Sequence, residues 1–206
     1  MFYEPRKGHG LPRDPFKALV APRPIGWFTT LNDDGSVNIG PYSYFNAVAD
    51  DPPFVMFSAG AREGVPVKDS ARNAAARGEF VHNLVTYDLK DAMNATSEEV
   101  PYGTDEAALA GLEMAPCNLV KAPRIAAAVA SFECRYHSTI ELPQNGEDGP
   151  NLLVLGEVIG IHIRDEAIAD GRFDPEAQRV IARLGYANYA VVGETFRMLR
   201  PGITDA

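Results

Sequence analysis

The chain has few cysteines, a deficit of basic residues and no long apolar run, and each shortage removes a class of function. Among 206 residues only Cys117 and Cys134 are cysteine, with no CxxC pair, so neither a disulfide scaffold nor an oxidising compartment is called for. The cytoplasm is the simplest location. Lys and Arg number 19 against 28 Asp and Glu, a net charge of -9, which repels the phosphates of nucleic acid and the anionic headgroups of membranes alike. Neither is expected as a partner. Residues 1–14 carry Arg6, Lys7 and Arg13 without the apolar stretch of a secretory signal, and no later run approaches the roughly 20 apolar residues that cross a bilayer. The GxGxxG, P-loop, GxSxG and HExxH motifs are all missing. The histidines His9, His82, His137 and His162 are scattered singly, and neither cysteine lies at metal-binding spacing from another ligand type, so spacing along the chain offers no metal site. A lone histidine in a strand reads first as a structural residue.

What is present is mostly strand. Residues 25–31 (IGWFTTL) are aromatic and β-branched and run into Asn32-Asp33-Asp34-Gly35, a turn of residues that tolerate the left-handed region. A second strand is read from Val37 through Val48, and Asp51-Pro52-Pro53 separates it from a third at Phe54–Phe57. Residues 69–77 have helix formers closed by Gly78, which predicts a short helix. Glu79–Val85 reads as a strand, and the Ala-rich stretch from Tyr87 to Leu112 as peripheral helix. From Ser131 to Leu142 the pattern alternates, with Phe132, Cys134, Tyr136 and Ile140 on one face and Glu133, Arg135, His137 and Glu141 on the other, the mark of a half-solvated strand. A Gln144-Asn145-Gly146 turn leads into Leu152–Ile163, where Gly156 and Gly160 suggest a bulge or a close approach. Strands joined by turns, with helices inserted rather than alternating, predict a mainly β antiparallel barrel with a few peripheral helices and exclude a doubly wound sheet. One domain is expected over 1–206, its core at about 18–195.

Three features carry candidate chemistry. Lys68-Asp69-Ser70 opens the helix, placing a cation and unpaired backbone N–H groups where the helix dipole is positive, and Arg62 precedes it in the same loop. That is either an anion seat or a capped helix with a solvated lysine. Tyr42-Ser43-Tyr44-Phe45-Asn46 alternates aromatic and small polar residues, which suits either a planar ligand or a barrel core. Ala21-Pro22-Arg23-Pro24 is a stiff approach that presents Arg23 at a barrel rim.

Taken in order, Arg23-Pro24-Ile25-Gly26-Trp27, Asn38-Ile39-Gly40-Pro41-Tyr42-Ser43-Tyr44-Phe45-Asn46, Asp51-Pro52-Pro53-Phe54-Val55, Lys68-Asp69-Ser70-Ala71-Arg72-Asn73 and Gly78–Val85 resemble the flavin reductase-like family of FMN-binding split barrels. The resemblance extends through Leu155–Ile163 and Arg183–Tyr189. It is strongest to the branch of flavin reductases, flavoredoxins and reductase components of two-component monooxygenases. It implies a Greek-key split barrel, a homodimer with FMN at the subunit interface, and NADH or NADPH as co-substrate. The strand Tyr42–Asn46 would run along the flavin ring, the loop from Arg62 to Ser70 would take the phosphate, and Arg23 would be a further contact. No catalytic side chain is implied, because hydride chemistry belongs to the flavin. The resemblance also admits an electron carrier of the flavoredoxin type, a non-enzymatic flavin or haem module, and a monooxygenase or other redox protein as partner. His82 stands where relatives often carry an apolar residue.

Overall fold

A computed structural model describes residues 1–61, 64–143 and 149–202. The expected turn at Gln144-Asn145-Gly146 lies outside the described residues. Seven strands form one antiparallel sheet: β1 (Gly26–Leu31), β2 (Val37–Tyr42), β3 (Phe45–Asp50), β4 (Pro53–Gly60), β5 (Glu79–Asn83), β6 (Ala130–Leu142) and β7 (Asn151–Ile163). Among the described residues four short α-helices accompany it: α1 (Phe16–Leu19), α2 (Asp69–Arg77), α3 (Lys90–Ala95) and α4 (Glu106–Leu109).

Strand order explains the shape. The sheet runs β2-β1-β5-β6-β7-β4-β3, so its two edges are the strands consecutive in sequence. Only Ser43 and Tyr44 separate the end of β2 from the start of β3, a span of a few ångströms per residue. The sheet must therefore roll until its edges meet, leaving a seam at Ser43-Tyr44. The single strand expected over Val37–Val48 is thus two strands, broken where the chain crosses that seam.

The first hairpin forms as its sequence directs. Gly26 faces Tyr42 and Leu31 faces Val37, Gly35 turns at φ 89°, and Ser36 N–H donates to Asp34 Oδ1 at 2.9 Å. Successive residues of β1 serve opposite faces, as a pleated strand requires. Phe28 enters the barrel interior with Phe45, Phe57, Phe80, Val154 and Val158. Trp27 points the other way, into a second core with Ile39, Val85, Met93, Ala107 and Ile125, where its indole N–H donates to Thr96 Oγ1 at 2.8 Å. The stretch Tyr87–Leu112 is therefore not peripheral, since Met93 and Ala107 from α3 and α4 are buried in that second core.

The long hairpin of β6 and β7 carries register shifts beside Gly156 and Gly160. A Cβ on Gly156 would stand 2.3 Å from Phe80 Cζ, so glycine is required there for the backbone to pass over the core ring. Glu133 departs from the alternation. It was expected on the solvated face, yet it is 1% exposed because the loop at residues 117–120 folds over it and donates backbone N–H groups to its carboxylate. Ile140, expected on the same face as Cys134, is 47% exposed, because the register shift at His137 reverses the alternation and sets Thr139 rather than Ile140 opposite the buried Val154.

Candidate functional site

Helix α2 fixes one wall of the site. Lys68 precedes it in extended backbone and makes no side-chain capping bond, while Gly78 closes it in the left-handed region at φ 74° with its N–H on Ala74 O. Small residues Ala71 and Ala74 let the helix settle on the barrel, and a buried polar ladder sets its register. Asn38 Nδ2 donates to Thr30 Oγ1 and to Ser70 Oγ, both at 3.0 Å. Asn73 Nδ2 donates to Asn32 Oδ1 at 2.8 Å, and Arg77 donates to the Asn32 carbonyl. Thr30, Asn32, Asn38, Ser70 and Asn73 are buried polar groups that would cost free energy without their partners, so together they hold α2 against β1 and β2.

The result is a cleft of about 610 Å³ bordered by the seam residues Tyr42, Ser43 and Tyr44 and by Lys68, Asp69 and Ser70. That volume falls in the range that encloses small organic ligands and cofactors, about 300–1,000 Å³. The two candidate segments, 25 residues apart in sequence, face the same space. Lys68 is the N-cap residue, Asp69 is the acid of the first turn, and Ser70 is buried with its hydroxyl oxygen accepting from Asn38.

The remaining candidates lie elsewhere. Phe45 is buried in the barrel core, and Asn46 is exposed with its Oδ1 accepting from Ala47 N–H at 3.0 Å; neither borders the cleft. Arg23 is 6% exposed and pins the N-terminal segment: it donates to the carbonyls of Lys17, Val20 and Leu184. It borders an adjoining cleft that shares Lys17, Pro41, Tyr42, Ser43 and Ser97 with the first. Arg62 lies outside the described residues.

Sequence reading missed Asn38, Gly60, Asn151 and Glu106, which also line the cleft. Gly60 lets the Asn151 side chain close against the backbone of β4, since a Cβ there would stand 2.7 Å from Asn151 Oδ1. Glu106 reaches in from α4 and accepts from Ile39 N–H at 2.5 Å. Burial, reinforced by the charges of Asp69 and Asp105 against the opposing bond from Ile39, pushes its carboxyl up to about 7.

His82 moves in the opposite sense. It lies in the aromatic interior, 2% exposed, stacked on Phe45 with ring centroids 4.5 Å apart, and burial lowers its pKa to about 4. A neutral imidazole thus takes an apolar position. The two groups oppose each other in linkage. His82 contributes stability that is lost as pH falls from about 6.5 to about 4. Glu106, whose folded pKa is raised, favours the fold at low pH and loses that contribution as pH rises from 4.5 to about 7. Relative to wild type, His82→Leu should gain stability on acidification, by on the order of 3 kcal/mol across the window. Glu106→Gln should gain stability as pH rises. Urea midpoints measured across that range check both, and parallel profiles for all three proteins would contradict the assignment.

The rolled sheet with its edge seam and a helix terminus beside it is a split barrel, and residues 19–190 match the flavin reductase like domain. The chain belongs to the flavin reductase-like family. An uncharacterised protein of Halalkalibacterium halodurans is 34% identical over 90% of this chain and 89% of its own length. The structure of nitrilotriacetate monooxygenase component B from Bacillus cereus superposes with a TM-score of 0.87 at 30% identity, covering 96% of this chain and 98% of that one. An FMN-binding protein of Thermus thermophilus shares the fold, with a TM-score of 0.69 at 17% identity over 92% of this chain and 96% of that one.

Proposed function

We propose that the chain is an FMN-binding flavin reductase that takes hydride from NADH or NADPH and passes electrons to an acceptor such as a monooxygenase component. The observation that carries this reading is the meeting of the α2 N-terminus and Lys68 with the β2–β3 seam around one cleft. The residues suit the cofactor. Lys68 and the first-turn N–H groups of α2 offer charge and donors to a phosphate, and the seam backbone at Pro41–Tyr44 offers an extended edge to a planar ring. Gly60 and Asn151 give a wall with a polar side chain packed on bare backbone. Bound FMN would supply the hydride chemistry. The protein's own part is to hold the phosphate end, to orient the ring edge along the seam and to exclude water from it. No side chain is assigned to acid–base work at the ring.

Lys17 of the N-terminal segment borders the cleft, and its sequence neighbours Phe16, Leu19 and Val20 are 50–75% exposed. A second copy covering this apolar rim would complete the site, which supports a homodimer with FMN at the interface. The likeness to a monooxygenase component supports a protein acceptor. Two free cysteines fit a reducing compartment such as the cytoplasm, and among the described residues no helix is long and apolar enough to cross a membrane.

The test is a visible spectrum of the protein with FMN, followed anaerobically by NADH and then NADPH. Bound flavin absorption that bleaches with either nucleotide is expected. Bleaching only with dithionite would assign a flavoredoxin-like carrier instead, and absence of bound flavin would overturn both.

A further inference from the structure

Folding assembles a second cluster that spacing along the chain gave no reason to expect. Cys117 Sγ, a Glu133 carboxylate oxygen and a His162 ring nitrogen lie within 4.8 Å of one another. They come from three places: the loop before residue 120, strand β6 and strand β7. None borders the flavin-sized cleft. We propose that Cys117, Glu133 and His162 form a binding site for a divalent transition cation of the Zn²⁺ type, with an open fourth position facing solvent.

The chemistry of the donors supports this. Thiolate, imidazole and carboxylate are the ligand types that Zn²⁺ combines, and three protein ligands with a free position make an open tetrahedral site. The supporting shell is already built. Glu133 accepts from the backbone N–H groups of Asn118 at 2.8 Å, Leu119 at 2.6 Å and Val120 at 3.0 Å, the kind of second layer that fixes a ligating carboxylate in place. Burial works against its charge, but those donors and His162 outweigh it and hold the carboxyl below its usual range. Gly160 stands opposite Glu133 in the hairpin, beside the Leu119 side chain.

His162 Nε2 is 2.5 Å from Glu133 Oε1, with the imidazole partly exposed. Tetrahedral ligands at zinc bond lengths stand about 3.3–3.8 Å apart, so this pair opens by about 1 Å and the thiol closes in, movements that side-chain torsions supply. Arg124 and Glu79 are the other charges nearest Cys117, of opposite sign.

The test uses full-length protein stripped with chelator, with Zn²⁺ for affinity and Co²⁺ for spectroscopy. One Zn²⁺ per chain should bind, and Co²⁺ should give a thiolate charge-transfer band. Cys117→Ser should abolish that band, and both Cys117→Ser and His162→Ala should weaken Zn²⁺ by tenfold or more, while circular dichroism and FMN binding stay at wild-type values. Zn²⁺ should also protect Cys117 from a thiol reagent. Wild-type protein that binds no stoichiometric cation, or variants that bind Zn²⁺ and Co²⁺ as wild type does, would overturn the assignment. Because none of the three ligands touches the cleft, this outcome is independent of the flavin reading.

Discussion

Phe28→Ala should remove about 3–5 kcal/mol of folding stability, the cost of a large ring deleted from a packed interior. Phe28 is 0% exposed, and its ring centroid lies 4.3 Å from Phe57, 5.4 Å from Phe80, 5.5 Å from Phe45, 5.7 Å from His82 and 6.0 Å from Tyr42. Those five rings come from four strands of the rolled sheet, Phe80 and His82 sharing β5, so they cannot close on the cavity together without shifting the strands themselves. Against a domain stability of about 5–15 kcal/mol, the loss is a large fraction of the whole. Chemical denaturation should show a lower midpoint with an unchanged slope. Phe28→Leu, which refills part of the volume, should recover more than half of the loss. Phe196→Ala, at a residue 81% exposed, should lie within about 0.5 kcal/mol of wild type. An alanine variant at position 28 that unfolds with the wild-type midpoint would remove Phe28 from the centre of the core. The effect should also reach the cleft, because Tyr42 packs on Phe28 from the seam.

Local signals in the sequence were enough for the pieces whose cause is local. The Asn32–Gly35 turn needs residues at ease in the left-handed region, α2 needs a glycine at its end, and Gly156 marks a backbone passing a core ring; each is visible in a few consecutive residues. Strand order is different in kind. Nothing between Val37 and Val48 says that the chain changes edge at Ser43, because that break is set by where the sheet closes. Period-two alternation likewise placed Glu133 on the outer face of its strand without revealing that a loop 15 residues earlier covers that face. Glu106 escaped for the same reason, since α4 is short and its approach to the cleft depends on packing against β2. Of the candidate residues, those on the seam and at the α2 terminus share one cleft, whereas Phe45 and Asn46 take their strand's other duties. Consecutive residues of a strand cannot all face one ligand.

Lys68 is the residue on which the phosphate assignment turns. A charge-assisted hydrogen bond contributes about 1.5–3 kcal/mol, and 1.4 kcal/mol is a tenfold change in affinity. Lys68→Ala should therefore weaken FMN binding by about tenfold to a hundredfold, and Lys68→Glu by more, because it sets a carboxylate beside Asp69 at the same helix terminus. Riboflavin, which lacks the phosphate, should bind both variants as it binds wild type. The preference for FMN over riboflavin is thus the informative quantity, and it should shrink in step with the charge at position 68. It should shrink with added salt as well, since the cleft is open to solvent. The backbone at Lys68 is extended, with φ −70° and ψ 144°, a conformation that alanine and glutamate adopt without strain, so the helix behind it should persist in both variants. Flavin fluorescence titrations with the two ligands check the expectation. Equal losses for FMN and riboflavin would mean that Lys68 supports the wall of the cleft rather than the anion, and an undiminished FMN preference in Lys68→Glu would move the phosphate away from α2 altogether.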